Sequence, residues 1–447
     1  MTETGVRAPS GARVLRPRTQ RISIVVAGFG QNIVLTTVTT FLLVYLLQYA
    51  RISVEGMVVV TAIITIAKLA DAISDPVMGS IVDMTRSRWG KMRPYVLFSA
   101  VPVAVLSTLL FAIPDVSEAG KLLFFGICYF VWGFAYTVCD VPFWGLIGSA
   151  FPDSSERVRV ISHVRAFGAI ALGLATLGMP WLALALSFSP ETTATGWTLA
   201  VAAASVLGMG MYLLAFVNTR EKALGDRGRP TFRELFSTLF QNTPLLMVLL
   251  GSVLGFGRYI VQAGGAVFVV IAYGDEGYFT LIGAAIIVGM VLSSFLTPLM
   301  LRRMSGRSLI LWSSAAGALF YVLMYVVGFD DIIWMMVFIF LTGLTLGVFV
   351  VVQTTMIADA VDDIEQRTGV RNDGISFSTL TFVSKVMSAL AVLVFGVFIV
   401  LAGYEAGVEI TPPMQNTVFI AITLVPAVSC VISAIPFLFY RLGGPGR

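Results

Sequence analysis

Long apolar segments recur along almost the whole chain, and they constrain its fold more than any other feature. Hydrophobic residues make up 57% of the sequence and charged residues only 12%, whereas a soluble domain carries about 25% charge. Segments of roughly 20 apolar residues are long enough to cross a bilayer as helices. The apolar runs are continuous rather than alternating, which argues against a transmembrane β-barrel. We therefore predict an all-α, multi-pass protein of the cell membrane.

The 447 residues leave room for about a dozen such segments joined by short loops. We predict twelve transmembrane helices at residues 22–48, 55–83, 94–113, 121–150, 159–187, 195–218, 242–273, 277–301, 308–328, 331–361, 375–403 and 414–440. The least hydrophobic internal stretch divides them into two groups of six. The predicted order is a tail at 1–21, a six-helix bundle at 22–218, a central loop at 219–240, a second bundle at 241–441 and a tail at 442–447.

Basic residues set the predicted orientation of these helices. If the N-terminus lies inside the cell, 23 of the 29 Lys and Arg residues fall in inside loops and tails, and only Arg51 and Lys121 fall in outside loops. The positive-inside rule then places both termini in the cytoplasm. The net charge of +4 reports this topology, and we expect no nucleic-acid partner.

Two carboxylates, Asp71 and Asp75, interrupt the second apolar segment. They are four residues apart and therefore lie on one helix face. A charge at the bilayer centre costs roughly 2.5–3.5 kcal/mol on insertion scales, so intramembrane acids usually mark an ion path. Two acids that face one small cavity can bind a cation and release it when they are protonated or hydrated. The alternative is a structural ion-pair cluster that closes the bundle, with Lys68 on the same face.

A second polar face lies in the fourth segment. Thr137, Asp140 and Trp144 share this face at helical spacing. A hydroxyl, an acid and an indole suit a sugar, because acids accept hydroxyl hydrogens and the ring packs on the apolar C–H face. Trp144 taken alone would more often be an interface or packing aromatic. Lys385, in the eleventh segment, cannot reach the membrane surface and needs one of the intramembrane acids as its partner.

Three motifs carry a resemblance to a known family, and the segment ADAVD at Ala358–Asp362 adds to it. The motifs are KLADAISDPVMG (Lys68–Gly79), TRSRWGKMRPY (Thr85–Tyr95) and YTVCDVPFW (Tyr136–Trp144). The chain resembles the glycoside–pentoside–hexuronide:cation symporters, the melibiose-permease-like branch of the major facilitator superfamily. The resemblance spans nearly the whole chain. It implies the major facilitator fold and alternating-access symport of a sugar or glycoside with Na⁺ or H⁺, with no cofactor beyond the coupling ion.

The resemblance also implies a cation site beside a sugar site. The positions that match the family's cation site are Asp71, Asp75 and Thr137, and the two acids are metal ligands if the ion is Na⁺. Ser74, which we also assign to this site, stands where the melibiose permease has an Asn that helps set cation choice. The positions that we assign to the substrate site are Gln31, Asn32, Tyr136, Asp140, Trp144, Arg165, Arg258, Thr381 and Lys385. Arg165 is expected at the start of the fifth helix.

Arg258 and the pair Gln31 and Asn32 depart from the family pattern. The two amides align with a Lys–Asp pair of the melibiose permease, and Arg258 stands in the seventh helix without a family counterpart. Losing an acid and gaining a cation favours a more anionic substrate, such as a uronide or a sulfonated sugar, since Arg pairs well with carboxylate and sulfonate. The alternatives are an Arg paired with an acid elsewhere or an Arg that lines the outer vestibule.

Charged residues at the predicted cytoplasmic helix ends are candidates for a gate. The stretch 79–94 resembles the loop between the second and third helices of the major facilitators. We expect Asp83 to pair with Arg86 or Arg93 across this gate. The other residues predicted to take part are Arg302, Arg303, Asp359 and Asp362.

Other functions stay open at the level of sequence. The alternatives are a cation-coupled carrier of a non-sugar, lysolipid-like solute and a drug:proton antiporter. A membrane enzyme is disfavoured, because the sequence has no His cluster, no Gly-rich loop followed by Lys-Ser/Thr and no catalytic triad. His163, the single histidine, is expected in a loop. The expected partners are a small-molecule sugar or glycoside, the coupling cation and the lipid bilayer, and the chain is expected to be a monomer.

Overall fold

The computed structural model describes residues 17–221, 237, 240–274, 277–368, 373–403 and 410–442. Within these residues the secondary structure is helical, apart from an isolated bridge between Ser87 and Gly90. Most of the predicted central loop and the outer parts of both predicted tails lie outside the described residues. The all-α prediction is confirmed. It agrees with the need of a chain in a bilayer to satisfy the hydrogen bonds of its backbone N–H and C=O groups internally, as a helix does.

Six helices lie in the first half of the chain between residues 17 and 221, the part of it that the structure describes. They are α1 (Pro17–Val44), which continues into a π-helical turn (Tyr45–Tyr49), α2 (Val54–Met84), α3 (Arg93–Leu109), α4 (Glu118–Ala150), α5 (Ser154–Ala185) and α6 (Ala194–Asn218). Several begin at side chains that accept a backbone N–H of the first turn. Ser53 caps α2, Asp153 caps α5 and Thr193 caps α6 in this way.

The described residues of the second half form eight helices, because two predicted spans are broken. The helices are α7 (Thr243–Leu254), α8 (Ile260–Tyr273), α9 (Gly277–Leu301), α10 (Gly306–Val327), α11 (Ile332–Thr368), α12 (Asp373–Ala402), α13 (Pro412–Ile422) and α14 (Leu424–Leu438). A 3₁₀ turn at Phe256–Tyr259 separates α7 from α8, which are bent by 49°. Thr423 separates α13 from α14.

The described helices are long and apolar enough for a multi-pass protein. Ten helical stretches meet this test, and the bent pair α7 and α8 makes an eleventh. The helix α3 is a shorter apolar helix of 17 residues in the place of the predicted third span. The predicted membrane class is therefore confirmed, whereas the count of twelve spans stays a prediction.

The helices pack within each half and then across the boundary between the halves. In the first half α1 packs on α5 and α6, and a Cβ at Gly30 would clash with the backbone oxygen of Gly208. Small residues allow such close approach in lipid. In the second half α11 packs on α9 and α10. The halves meet where α12 contacts α2 and α4, and where α5 contacts α9 and α11.

One face of the molecule carries both ends of the described chain, and we call it the basic face. It comprises residues 84–93, 153–159, 216–221, 302–307 and 359–367 with the adjoining helix ends. Arg21 donates to Glu156 at 3.2 Å and Arg307 donates to the Leu438 oxygen at 2.6 Å, which joins the chain ends to these segments.

Candidate functional site

Five side chains from three helices meet at the boundary between the halves, and we call them the acid–lysine cluster. They are Asp71 and Asp75 of α2, Thr137 of α4, and Thr381 and Lys385 of α12. The Lys385 ammonium lies 2.9 Å from Asp75 Oδ2 and 3.6 Å from Asp71 Oδ2. The two acids therefore share one basic partner from the other half of the chain.

Asp75 is the fully buried acid of this cluster. It has no exposed surface, and both of its oxygens accept hydrogen bonds. Thr137 donates to Oδ1 and Thr381 donates to Oδ2, each at 2.9 Å. A buried charge requires such partners, because an unpaired one would cost several kcal/mol. The site holds the Asp75 charge with one hydroxyl from each half and one ammonium.

Asp71 is more accessible, since 19% of its side chain is exposed. Gly133 of α4 makes room for it, because a Cβ there would lie 2.8 Å from Asp71 Oδ1. Ser74 lies between the two acids in sequence and donates to the Asp71 backbone oxygen at 3.1 Å. The Ser74 hydroxyl is also 3.5 Å from that of Thr137. Carboxylate and hydroxyl oxygens thus surround one side of the cluster.

A second polar group lies along α4, one turn from Thr137. Gln31 of α1 donates to Asp140 Oδ1 at 2.8 Å and is itself buried. The Tyr136 hydroxyl interacts with the same Gln31. Asn32, in contrast, donates to the Gly28 oxygen of its own helix at 2.8 Å. Of the two aligned amides, therefore, only Gln31 reaches the acid.

Arg165 forms the other side of this group. Its guanidinium carbon lies 4.1 Å from the centre of the Trp144 ring, in cation–π geometry. It donates to the Thr354 hydroxyl of α11 at 3.0 Å, and its Nε is buried without a described partner. Arg165 lies three turns inside α5 rather than at its start, because Asp153 begins that helix. The face of the Trp144 ring is therefore covered by the Arg165 guanidinium.

The charges of the two groups do not cancel. Asp140 interacts electrostatically with Asp75, Lys385 and Arg165, so the groups form one charge system. With Asp71 included and every side chain ionised, the two groups carry one excess negative charge, which the exposed Lys68, a further electrostatic partner of Asp71, offsets from outside. A single Na⁺ or H⁺ at the two acids would offset the same charge from within the site, and oxygen ligands suit a hard cation. In the described part of the chain no group of three or more His, Cys, Asp and Glu side chains has metal-binding geometry, so Na⁺ would need hydroxyl or carbonyl oxygens beside the two acids.

Arg258 lies apart from these groups, inside the second half. It is 1% exposed, donates to the Ser314 hydroxyl at 2.7 Å and to the Ser433 hydroxyl at 3.2 Å, and stacks 4.0 Å from the Phe349 ring centre. Among the described residues no carboxylate pairs with it. Neither alternative, an acidic partner or the outer vestibule, describes this position. Contact with an anionic substrate would require these helices to rearrange.

At the basic face Asp83 joins α2 to α12. It accepts the backbone N–H groups of Gly374 and Ile375 at 3.0 and 2.9 Å, and Lys91 lies 3.8 Å away. An acid at a helix N-terminus is favoured by the unpaired amides and the helix dipole. The predicted pairing with Arg93 is wrong, because Arg93 donates to the Phe216 oxygen within its own half. Arg86 is exposed on the same face, and its pairing with Asp83 stays a prediction.

A second link at this face joins α5 to α11. The Arg157 guanidinium is 1% exposed and donates to Asp359 at 3.2 Å and to Asp362 at 2.6 Å. The two acids were predicted, but Arg157 was not, since nothing in its local sequence distinguishes it. Arg302 and Arg303 are exposed at the end of α9 and form no ion pair with a described acid, so their place in the gate stays a prediction.

Comparison with known sequences assigns the chain to a family. The family described as MFS/sugar transport protein matches residues 23–444. The inner membrane symporter YicJ of Escherichia coli K12 is 30% identical over 373 residues, which cover 83% of this chain and 80% of that protein. The glucuronide carrier protein homolog of the same organism is 27% identical and covers 90% and 88%. The isoprimeverose transporter of Lactiplantibacillus pentosus is 27% identical and covers 95% and 89%.

Solved structures show the same fold. The outward-conformation crystal structure of FucP from E. coli, a major facilitator superfamily transporter, superimposes with a TM-score of 0.69 at 12% identity, over 94% of this chain and 98% of that one. The likeness supports the fold, and the sequence comparisons supply the family. The chain belongs to the glycoside–pentoside–hexuronide:cation symporters of the major facilitator superfamily, and is a multi-pass membrane transporter rather than an enzyme.

Proposed function

We propose that the chain couples the inward flow of one Na⁺ or H⁺ to the uptake of a sugar or glycoside. The observation that carries this proposal is the position of Lys385 between Asp71 and Asp75. A cation that binds these acids competes with the ammonium, and a displaced Lys385 can turn toward Asp140 and the substrate. Coupling of this kind is reciprocal, so the sugar raises cation affinity by the factor by which the cation raises sugar affinity.

The substrate would lie between Gln31, Asp140, Trp144 and Arg165. The acid and the amide bond hydroxyl groups, and the indole packs on the C–H face of a sugar. The Nε of Arg165 is buried and lacks a described partner, which suits a carboxylate or sulfonate on the substrate. The Nε of Arg258 also lacks a described partner, but Arg258 bonds Ser314 and Ser433 inside the second half, whereas Arg165 stacks on Trp144, so we move the predicted preference for an acidic glycoside from Arg258 to Arg165. The name of the glucuronide carrier relative fits this preference.

The basic face would lie in the cytoplasm, as the distribution of Lys and Arg indicates. The Asp83 link to α12 and the Arg157 link to α11 close that side, so we assign this structure to a state closed toward the cytoplasm. Release of substrate would need both links to break as the halves rock about the site. The membrane potential supplies about 2.3 kcal/mol per charge per 100 mV for this cycle.

The experiment is uptake into proteoliposomes with imposed gradients. Neutral glycosides, uronides, a lysolipid and a cationic drug would be offered with an inward gradient of Na⁺, of H⁺ or of neither ion. We expect one sugar class to accumulate above equilibrium only when one of the gradients is present. Accumulation that needs no gradient would contradict coupling. Gradient-driven efflux of the drug, or competition by the lysolipid alone, would instead support the corresponding alternative.

A further inference from the structure

An apolar groove runs between α5 and α9, where the two halves of the chain meet. Its volume is about 520 Å³. The side chains that line it include Ile170, Gly173, Leu174, Val288, Leu292 and Phe295. Leu174 and Val288 are each 56% exposed, so the groove is open to its surroundings. In a bilayer these surroundings are acyl chains.

The groove continues along α9 toward the basic face. Val288, Leu292, Phe295, Leu299 and Arg302 follow at intervals of three or four residues and therefore lie on one side of the helix. A second recess of about 430 Å³ lies at this end. The residues that line it are Leu299, Met300, Arg302, Arg303 and Met304. We call the groove and this recess together the seam. The seam is apolar for most of its length and basic at the end that lies at the basic face.

The opposite wall, on α5, changes polarity in the same direction. The rings of Phe167 and His163 lie edge-on to Phe295, with centroids 6.3 and 5.5 Å away. His163 is therefore inside a helix, at the contact between the halves, and not in the predicted loop. Arg159 lies one turn beyond His163, on the same side of α5 and nearer the basic face.

Three arginines at the basic end lack an acidic partner. Arg159, Arg302 and Arg303 form no ion pair with any acid that the structure describes, whereas Arg157, two residues from Arg159, pairs with two acids. Apolar surface by itself is expected on every transmembrane helix and carries no inference. A concave seam that ends in three unpaired cations is a different feature, because basic pockets between transmembrane helices on the cytoplasmic side bind anionic headgroups.

We propose that this seam binds one anionic diacyl phospholipid of the cytoplasmic leaflet. Its phosphate contacts Arg302, Arg303 and Arg159, and one acyl chain fills the groove. The proposal rests on the orientation given under the proposed function, with the basic face in the cytoplasm. Arg159 belongs to the first half and the other two arginines to the second, so the lipid binds best when the halves approach each other at that face. By linkage, the lipid stabilises the state closed at the basic face.

Native mass spectrometry of the full-length protein tests the headgroup contact. Phosphatidylglycerol should be retained at one molecule per chain, and phosphatidylcholine at the same mole fraction should not. The double variant Arg302→Gln/Arg303→Gln should lower retention at least about tenfold, since each arginine attracts the anionic lipid. The control Arg441→Gln removes an exposed cation of the same face and should change nothing. Equal retention of both lipids, or an equal loss in the control, would overturn the site.

Filling the groove tests the acyl contact. A Cβ at Gly173 would lie 3.8 Å from Ile287, in ordinary van der Waals contact, so the further atoms of Gly173→Leu are expected to extend into the groove. A Cβ at Gly210 on α6 meets no atom within 4 Å, which makes Gly210→Leu the matched control. Only the Gly173 variant should lose phosphatidylglycerol. If both variants retain it equally, the groove is not the acyl site.

A distance measurement tests the linkage to conformation. Spin labels at Ser155→Cys and Gln366→Cys lie on exposed positions of the two halves at the basic face. In nanodiscs, phosphatidylglycerol should raise the population with the short distance between the labels, and the double arginine variant should abolish this effect. If phosphatidylglycerol leaves the distance distribution unchanged, the lipid does not stabilise the state closed at the basic face. None of these readouts requires transport, so their failure is distinguishable from failure of the proposed symport.

Discussion

The Lys385 ammonium lies 2.9 Å from Asp75 Oδ2 and connects the second half of the chain to a fully buried acid of the first. Asp71 is 3.6 Å from the same ammonium. Lys385 and a coupling cation would therefore compete for the carboxylate oxygens of Asp71 and Asp75. This competition gives a physical route by which ion binding changes the contact between the halves and the sugar site next to it.

Replacing Lys385 with Gln should strengthen cation binding and remove coupling. Without the ammonium, Asp71 and Asp75 attract a cation with no competitor, so cation affinity should rise about tenfold. Sugar affinity should become insensitive to the cation, because nothing is displaced when the cation binds. Isothermal titration with each ion, with and without sugar, measures both quantities. Weaker cation binding in this variant would argue against competition.

Replacing Arg157 with Gln should open the basic face. Asp359 and Asp362 would lose their shared cation, and the closed state should be destabilised by about 1–2 kcal/mol. This free energy is kept small because both acids are about one-third exposed and solvent screens their charges. The matched control is Arg367→Gln, since Arg367 pairs with Asp363 within α11 and does not cross between the halves. Distances between spin labels at residues 155 and 366 should lengthen only in the Arg157 variant.

Glu221 predicts a pH dependence of stability. Its carboxylate accepts the N–H groups of Lys91, Met92 and Arg93 at 2.7–2.9 Å. Burial nevertheless raises the pKa of Glu221 above its ordinary value of 4.5. The folded protein then keeps a proton that the unfolded chain has lost, so this contribution to stability is present below pH 4.5 and is lost as the pH rises through the folded pKa.

Thermal unfolding in detergent measures this effect. The stability of the wild type relative to Glu221→Gln, which cannot titrate, should fall from pH 4.5 to pH 7. The control variant Glu191→Gln alters an exposed acid of the opposite face and should follow the wild type at every pH. If the relative stability of the wild type rises over this range, the Glu221 pKa is lowered and not raised in the folded protein, and the prediction is wrong.

Arg165 and Arg258 should differ in what they do to substrate choice. Arg165→Gln should weaken uptake of uronides about tenfold more than uptake of neutral glycosides, since a charge-assisted contact is lost only with the acid. Arg258→Met should lower both equally, because Arg258 bonds Ser314 and Ser433 inside the second half. Uptake of matched glucose and glucuronic acid glycosides separates the two. If the Arg258 variant loses uronide uptake selectively and the Arg165 variant loses both substrates equally, Arg258 and not Arg165 recognises the acid.

Local periodicity was sufficient to find the residues of the site that share a helix. Asp71 and Asp75 are one turn apart on α2, and Thr137 and Asp140 are one turn apart on α4, so helical geometry alone brings each pair to one face. The need of Lys385 for an acidic partner also followed from its position in an apolar segment. These inferences use contacts within a turn or the cost of an intramembrane charge, and both can be read in the sequence.

Contacts between distant segments could not be predicted in this way. Arg157 finds Asp359 and Asp362 across 202 and 205 residues, and Asp83 binds backbone amides that no motif identifies. The break between α7 and α8 was missed, because the predicted span 242–273 is strongly apolar on both sides of Arg258. The positions of such partners depend on how the helices cross, which hydropathy does not specify.

Sugar binding by Asp75→Asn, measured in proteoliposomes at fixed pH with and without Na⁺ and Li⁺ and again across pH, tests the central claim most directly. The matched control is Asp115→Asn, an exposed acid of the opposite face that pairs with Lys121. The wild type and the control should bind sugar about tenfold more tightly with the coupling ion, and the Asp75 variant should show no ion dependence. An Asp75 variant whose sugar affinity still responds fully to the ion would contradict the account.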